Sequence, residues 1–207
     1  MKLFNIVAAC LCMASLISCN QQPAQTQTEM KYENQVIENI MTRRSIRNYK
    51  DGAVARETMD KILECGINAP SGMNKQSWEI RVIDNPETRA KLVETMYKGN
   101  ENMKPEMVEG CFRGAPTLVF IANNPEYEFS PIDCGLLSEN IMLSAWSLGV
   151  GSVCLGSPIR FMDKSPEAIK MLEFSEGYTP IICIGLGYPN ETPNAKPRDK
   201  AKIKYLP

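Results

Sequence analysis

Arg43-Arg44-Ser45-Ile46-Arg47 is the stretch around which the chain is organised: three guanidinium groups and a hydroxyl within five residues. Val36, Ile37, Ile40 and Met41 precede it at helical spacing, so a short helix is expected to lead into Arg43. The partial negative charge at a helix C-terminus suits arginine but does nothing for a bound anion, so the side chains must supply any attraction. In an extended run, the two-residue period puts Arg43, Ser45 and Arg47 on one side. That side offers planar forks and an O–H donor, the chemistry that a phosphate or carboxylate needs. The alternative is a solvated basic surface. A second basic pair, Lys196 and Arg198, lies in a tail (189–207) that carries four prolines. Between the two, Pro70-Ser71-Gly72-Met73-Asn74 reads as a backbone cradle.

Outward from this run, Met59, Ile62, Leu63, Gly66 and Ile67 space a second helix, stopped by Pro70. The run 79–84 (EIRVID) alternates as a strand, and Pro86 opens a surface helix over 86–97. The run 117–122 (TLVFIA) is continuously apolar and reads as a buried strand. Asp133 is expected to cap a helix that ends at Gly149. Leu136, Ile141, Ala145 and Leu148 lie on different sides of that helix, which predicts burial on most sides at the centre of an assembly. Runs 152–155 and 178–186 read as further strands, with a helix over 166–174 between them. The fold class is α+β, one domain over 35–207 with a central sheet and helices around it.

Composition removes several function classes. The net charge is −1 with no basic stripe, which offers little to nucleic acid. The chain has no histidine, so Ser-His and Cys-His catalysis are excluded and zinc loses its usual nitrogen ligand. No metal site is expected. Beyond Cys10, Cys12 and Cys19, the cysteines are Cys65, Cys111, Cys134, Cys154 and Cys183, an odd set without CxxC spacing. Most read as small apolar core residues, and one disulfide stays open if the domain is exported.

The N-terminal residues read as a leader. Lys2 is followed by an apolar stretch over 3–17, too short to span a bilayer comfortably, ending in Leu16-Ile17-Ser18-Cys19. This resembles a bacterial lipoprotein signal, which implies a signal over 1–19, lipidation at Cys19 and a flexible polar tether over 20–34. Acyl chains at about 0.8 kcal/mol per buried CH₂ would then hold the protein on a membrane, on the periplasmic or cell-surface side. The alternative is translation from Met30 and a cytoplasmic protein.

Four segments in order resemble the FMN-dependent nitroreductase family: Arg43-Arg44-Ser45-Ile46-Arg47, Pro70 through Trp78 (PSGMNKQSW), Leu148-Gly149-Val150-Gly151-Ser152, and Gly185-Leu186-Gly187-Tyr188-Pro189 continuing to Lys196-Pro197-Arg198. The resemblance implies a mostly antiparallel sheet with flanking helices and an interlocked homodimer with FMN at the interface. It assigns Arg43, Arg44, Ser45 and Arg47 to the first flavin-binding run, and Lys196 and Arg198 to the phosphate. Asn74, in a loop with Pro70 and Ser71, would come from the partner chain to the ring. Leu155, Gly156 and Ser157 fall where backbone N–H groups meet the flavin N5 and O4 edge. Gly185-Leu186-Gly187 lacks the third glycine and the helix of a dinucleotide fingerprint, and Trp78 reads as core.

The implied activity is ping-pong transfer from NAD(P)H to nitroaromatic or quinone-type acceptors, with no catalytic side chain. A flavin-binding protein without turnover is the alternative from another class. A dehalogenase or dehydrogenase on the same fold is the enzymatic one. An exported domain also raises the question of its donor, because soluble nicotinamide is expected to be scarce outside the cytoplasm. The chain departs from the family at Ser77, where Pro often stands, and in a short segment over 99–116. Met103, Met107 and Phe112 in that segment are expected to form a small lid.

Overall fold

The structure, a computed structural model, describes residues 32–100 and 102–207. The leader, Cys19 and most of the tether lie outside the described residues. The domain opens with α1 (Gln35–Thr42), whose first turn is capped by Asn34 accepting the Ile37 N–H at 3.0 Å. In chain order there follow α2 (Arg56–Ile67), β1 (Trp78–Ile83), α3 (Pro86–Lys98), α4 (Pro105–Gly110) and β2 (Thr117–Asn123). Then come α5 (Ser130–Ser147), β3 (Gly151–Leu155), α6 (Ser157–Met162), α7 (Pro166–Lys170) and β4 (Thr179–Gly187). The four strands form one antiparallel sheet in the order β1-β2-β4-β3.

Strand β2 is buried at every position because the sheet is covered on both faces. Val119 and Ile121 point into a core built with Met59 and Ile62 of α2 and Leu137 and Ile141 of α5. Leu118 and Phe120 point the other way, onto Leu92 and Met96 of α3, Val108 of α4 and Met162 of α6. A continuous apolar run is what such a strand requires, since alternate side chains serve two cores. Each fully buried Leu or Phe contributes about 1.5–3 kcal/mol. Trp78 sits in the first core, as expected.

Helix α5 corrects one expectation. It begins at Ser130 with Pro131 in its first turn, so Asp133 lies inside the helix rather than at its cap. Leu137, Ile141 and Ala145 are buried, but Ile132 and Leu136 are 60% and 43% exposed in the single chain. The segment before β2 is corrected too. Phe112 is fully buried in the second core, and of the three expected lid residues Met107 is the one left prominently exposed. Helix α6, with Pro158 in its first turn, was not expected from the sequence. Cys111, Cys134 and Cys183 are buried, Cys65 and Cys154 are exposed, and all five are free thiols. Among the described residues no helix is long and apolar enough to cross a membrane.

Candidate functional site

The basic run leaves α1 as predicted. Arg43 caps the helix in extended conformation (φ −53°, ψ 137°), and the chain then lies beside the free edge of β3. Ser45 bridges Ser152 in parallel, and the Ile46 N–H donates to the Ser152 carbonyl at 3.0 Å. Ile46 turns inward and is fully buried, while its neighbours Ser45 and Arg47 line a cleft. The Tyr49 hydroxyl braces the run by donating to the Ile46 carbonyl at 2.5 Å, and burial pushes that phenol well up.

The tail reaches the same place by pairing with the residues that follow the run. The Lys50 N–H donates to the Tyr188 carbonyl at 2.8 Å, and the Asn190 N–H to the Asn48 carbonyl at 3.0 Å. The Glu191 carboxylate then accepts the backbone N–H groups of both Arg47 and Asn48. The resulting cleft, about 390 Å³, is lined by Ile40, Met41, Arg43, Arg44, Ser45 and Arg47 on one side and by residues 193–196 and Arg198 on the other. Two of the three predicted pieces therefore converge. Glu191 was not anticipated: an isolated glutamate in a proline-rich tail carries no local signal of its partner 143–144 positions away.

Cationic side chains outnumber the carboxylates around the cleft, where Glu191 is taken up by backbone N–H groups. Arg43 approaches Glu139 at 3.8 Å, a half-exposed pair worth about 0–1 kcal/mol. Arg44 donates to the carbonyls of Met41 and Arg43 at 2.9 and 2.8 Å, which closes the end of α1. Among the described residues the guanidinium groups of Arg47 and Arg198 reach only carbonyls, at 3.4 and 3.3 Å. Among the described residues no carboxylate lies within 4 Å of the cationic groups of Arg44, Arg47, Lys196 or Arg198. Such a set can take up a compact anion of more than one negative charge.

The other predicted residues lie elsewhere. Leu155 ends β3, and Gly156 and Ser157 open α6, so their N–H groups have no helix carbonyl to meet. They sit on the same sheet edge as the cleft, four residues or about 13 Å along from Ser152. Pro70, Ser71 and Asn74 precede β1, at the opposite edge and the opposite end of the sheet. Three strand spacings alone put about 14 Å between those edges. A single chain does not bring Asn74 to the cleft. That loop is itself strained, with Met73, Asn74 and Gln76 all at positive φ, each costing about 1–3 kcal/mol.

The family model of the nitroreductase family matches residues 40–188, a span that contains the run, the loop and the whole sheet. The chain belongs to the nitroreductase family. This nitroreductase-family chain is 33% identical over 166 residues to a Methanothermobacter thermautotrophicus protein named provisionally an NADH dehydrogenase/NAD(P)H nitroreductase, covering 78% of this chain and 81% of the relative. It is 27% identical to the FMN reductase [NAD(P)H] of Bacillus subtilis, covering 80% and 70%. Its fold resembles a Bacteroides fragilis nitroreductase crystallised with bound FMN, with a TM-score of 0.75 and 27% identity over 84% of this chain and 100% of that one. A Desulfitobacterium hafniense nitroreductase with bound FMN gives the same TM-score at 29% identity, over 85% and 100%.

Proposed function

We propose that this chain is an FMN-dependent oxidoreductase that passes reducing equivalents from NAD(P)H, or another donor, to nitroaromatic or quinone-type acceptors. The observation that carries the reading is the cleft where Arg44, Arg47, Lys196 and Arg198 converge with no carboxylate partner among the described residues. A phosphate monoester fits this donor set. Arg43, Arg44, Ser45, Arg47, Lys196 and Arg198 would hold that end of FMN. Gly156 fits the same reading from the other end. Its φ of −87° is ordinary and an added Cβ would meet nothing within 4 Å, so none of the described residues demands glycine there. A flavin edge passing close to the backbone would give glycine a use there.

Bound FMN supplies the redox chemistry, accepting hydride from the nicotinamide and delivering reducing equivalents to an acceptor. The protein's part is to bind and orient. The N–H groups of Gly156 and Ser157 would be donors for the polar edge of the ring, held in place by β3 behind them. The Asn74 loop would serve the flavin of a second copy, since within its own chain it lies at the far corner of the sheet. The homodimer this requires is supported by an apolar surface left open on α1 and α5, where Val36, Ile40 and Ile132 are 52–69% exposed.

The same reading includes a lipid anchor at Cys19, supported by the charged start, apolar stretch and small-residue Cys site. An exported enzyme would draw electrons from a membrane partner or a reduced quinone. Purified protein loaded with FMN and given NADH and menadione tests the activity: a flavin that no donor reduces would leave only a flavin-binding protein. Stopped-flow reduction separates the donors. Rapid bleaching by micromolar NADH, with none by reduced quinone, would rule out the quinone route. Cell fractionation with acyl labelling tests the anchor, and a soluble protein beginning at Met30 would refute it.

A further inference from the structure

The loop before β1 holds three non-glycine residues in the left-handed region within four positions: Met73 (φ 52°), Asn74 (φ 53°) and Gln76 (φ 48°). L-residues avoid this region, and it persists only where the surroundings over-determine it. Here the Gln76 N–H donates to Ser71 Oγ at 3.1 Å inside the loop, and a buried carboxylate ties the two ends together. Asp133 is 2% exposed in the first turn of α5 and puts one oxygen on each end of the loop. Oδ1 accepts the Gly72 N–H at 3.1 Å, and Oδ2 accepts the Ser77 hydroxyl at 3.2 Å. Ser130, one turn earlier on the same helix, donates to the Ser77 carbonyl at 2.6 Å and accepts the Asn124 N–H at 3.0 Å.

Tyr127 closes the remaining side. Its hydroxyl stands where a Cβ on Gly72 would approach to 2.1 Å, and the Lys75 ammonium lies 4.4 Å from its ring centroid. The position that proline would stiffen, Ser77, is thus tied by its hydroxyl and its carbonyl instead. No cation lies within 4 Å of Asp133 among the described residues. A buried carboxylate without a counter-ion is costly, and what offsets that cost here is two donors from the loop and the positive end of an 18-residue helix. Core packing alone would be served better by an apolar residue.

We propose that Asp133 is a positioning residue of the flavin site: it touches no ligand, but by joining Gly72 to Ser77 it holds Asn74 in the strained conformation that meets the flavin ring of the second copy. This rests on the reading in which Asn74 is a flavin contact.

The test compares four FMN-loaded proteins, Asp133→Ala, Asp133→Asn, Asn74→Ala and the double variant Asn74→Ala/Asp133→Ala, by flavin midpoint potential. The flavin-free proteins are compared by amide hydrogen exchange. Asp133→Ala breaks both loop bonds. Asp133→Asn can keep both, its amide oxygen accepting from Gly72 and its N–H donating to the Ser77 oxygen. Expected for Asp133→Ala is exchange at Gly72, Asn74 and Lys75 faster by about tenfold or more, with β2 and the middle of α5 unchanged. Its potential should shift in the same direction as that of Asn74→Ala and add nothing in the Asn74→Ala background, while Asp133→Asn stays close to the parent. If Asn74→Ala shifts the potential and Asp133→Ala leaves it at the parent value, or if the two shifts add in full, Asp133 is only structural and the proposal is overturned. If Asn74→Ala itself leaves the potential unchanged, Asn74 is not a ring contact, and both the reading and the proposal fall. Should Asp133→Ala not fold, Ser77→Ala removes one bond and keeps the carboxylate. A smaller shift in the same direction then supports the proposal, and a parent-like potential overturns it.

Discussion

The Ile46 N–H donates to the Ser152 carbonyl at 3.0 Å, and this bond seats the basic run on the open edge of β3. The contact is close because Gly151 has no side chain: a Cβ there would lie 2.6 Å from Cγ1 of Ile46. Gly151 and Gly156, at the two ends of one strand, are therefore expected to differ in kind.

Gly151→Ala should destabilise the flavin-free protein by about 1–3 kcal/mol, because Ile46 and the run it carries must move. Gly156→Ala should leave that stability within about 0.5 kcal/mol, since its Cβ enters open space. Its FMN affinity should nonetheless fall several-fold. Urea unfolding without flavin and a fluorescence titration with it measure the two effects. Parent-like affinity in Gly156→Ala would remove that residue from the flavin site.

Arg198→Ala and Arg43→Ala should each weaken FMN binding while leaving the fold intact. A charge-assisted hydrogen bond to a phosphate is worth about 1.5–3 kcal/mol, so each loss is expected to cost roughly tenfold or more. Among the described residues Arg198 has no ion pair to lose, and the Arg43 pair with Glu139 is weak. Dialysis followed by flavin absorbance is a sufficient measurement. An Arg198→Ala protein that keeps its flavin as the parent does would show that the phosphate lies elsewhere.

Truncation after Pro189 should lower the mass in solution from dimer to monomer and release the flavin. The tail carries Ile203, Tyr205 and Leu206 at 69%, 93% and 79% exposure, large side chains that the described residues do not cover. It also carries Lys196 and Arg198 into the cleft. Light scattering coupled to flavin absorbance tests both effects, and a full-length protein that is monomeric with FMN bound would refute the shared site.

Stability should fall on the alkaline side. Burial raises the Cys134 thiol from 9.0 to about 11 and the Cys111 thiol to about 12, and it pushes up Cys183 and the phenol of Tyr49 as well. The unfolded chain releases these protons near their ordinary values while the folded chain keeps them. The stabilisation is thus fully present below pH 9 and is lost as pH climbs. Above pH 9 for the thiols and pH 10 for the phenol, each group contributes about 1.4 kcal/mol per pH unit to the fall in unfolding free energy until its folded form titrates. Urea midpoints that stay level from pH 9 to 11 would contradict this.

Much of the fold was legible along the chain because its signals are local. An apolar run at 117–122, an alternating one at 79–84 and helical spacing before Arg43 each declare their element through the period of the side chains. Helix α6 was not legible, because six residues with a proline among them are too short to show a period. Asp133 was misplaced as a cap because the preference for aspartate at helix starts is local, whereas the start itself was decided by Pro131 and the packing of Ser130 under Ser77.

The order of residues along the chain settles which chemistry the site can hold: arginines and a lysine set for an anion, and no histidine. Which of these groups meet depends on how the chain folds back on itself. The Glu191 carboxylate brings the tail back to Arg47 and Asn48 across more than 140 residues, and the sheet order sends the Asn74 loop to the opposite corner from the cleft. Neither fact has a local signature. Both follow from hydrogen bonds and strand order set by the burial of two apolar cores, and burial is a property of the whole chain rather than of any stretch of it.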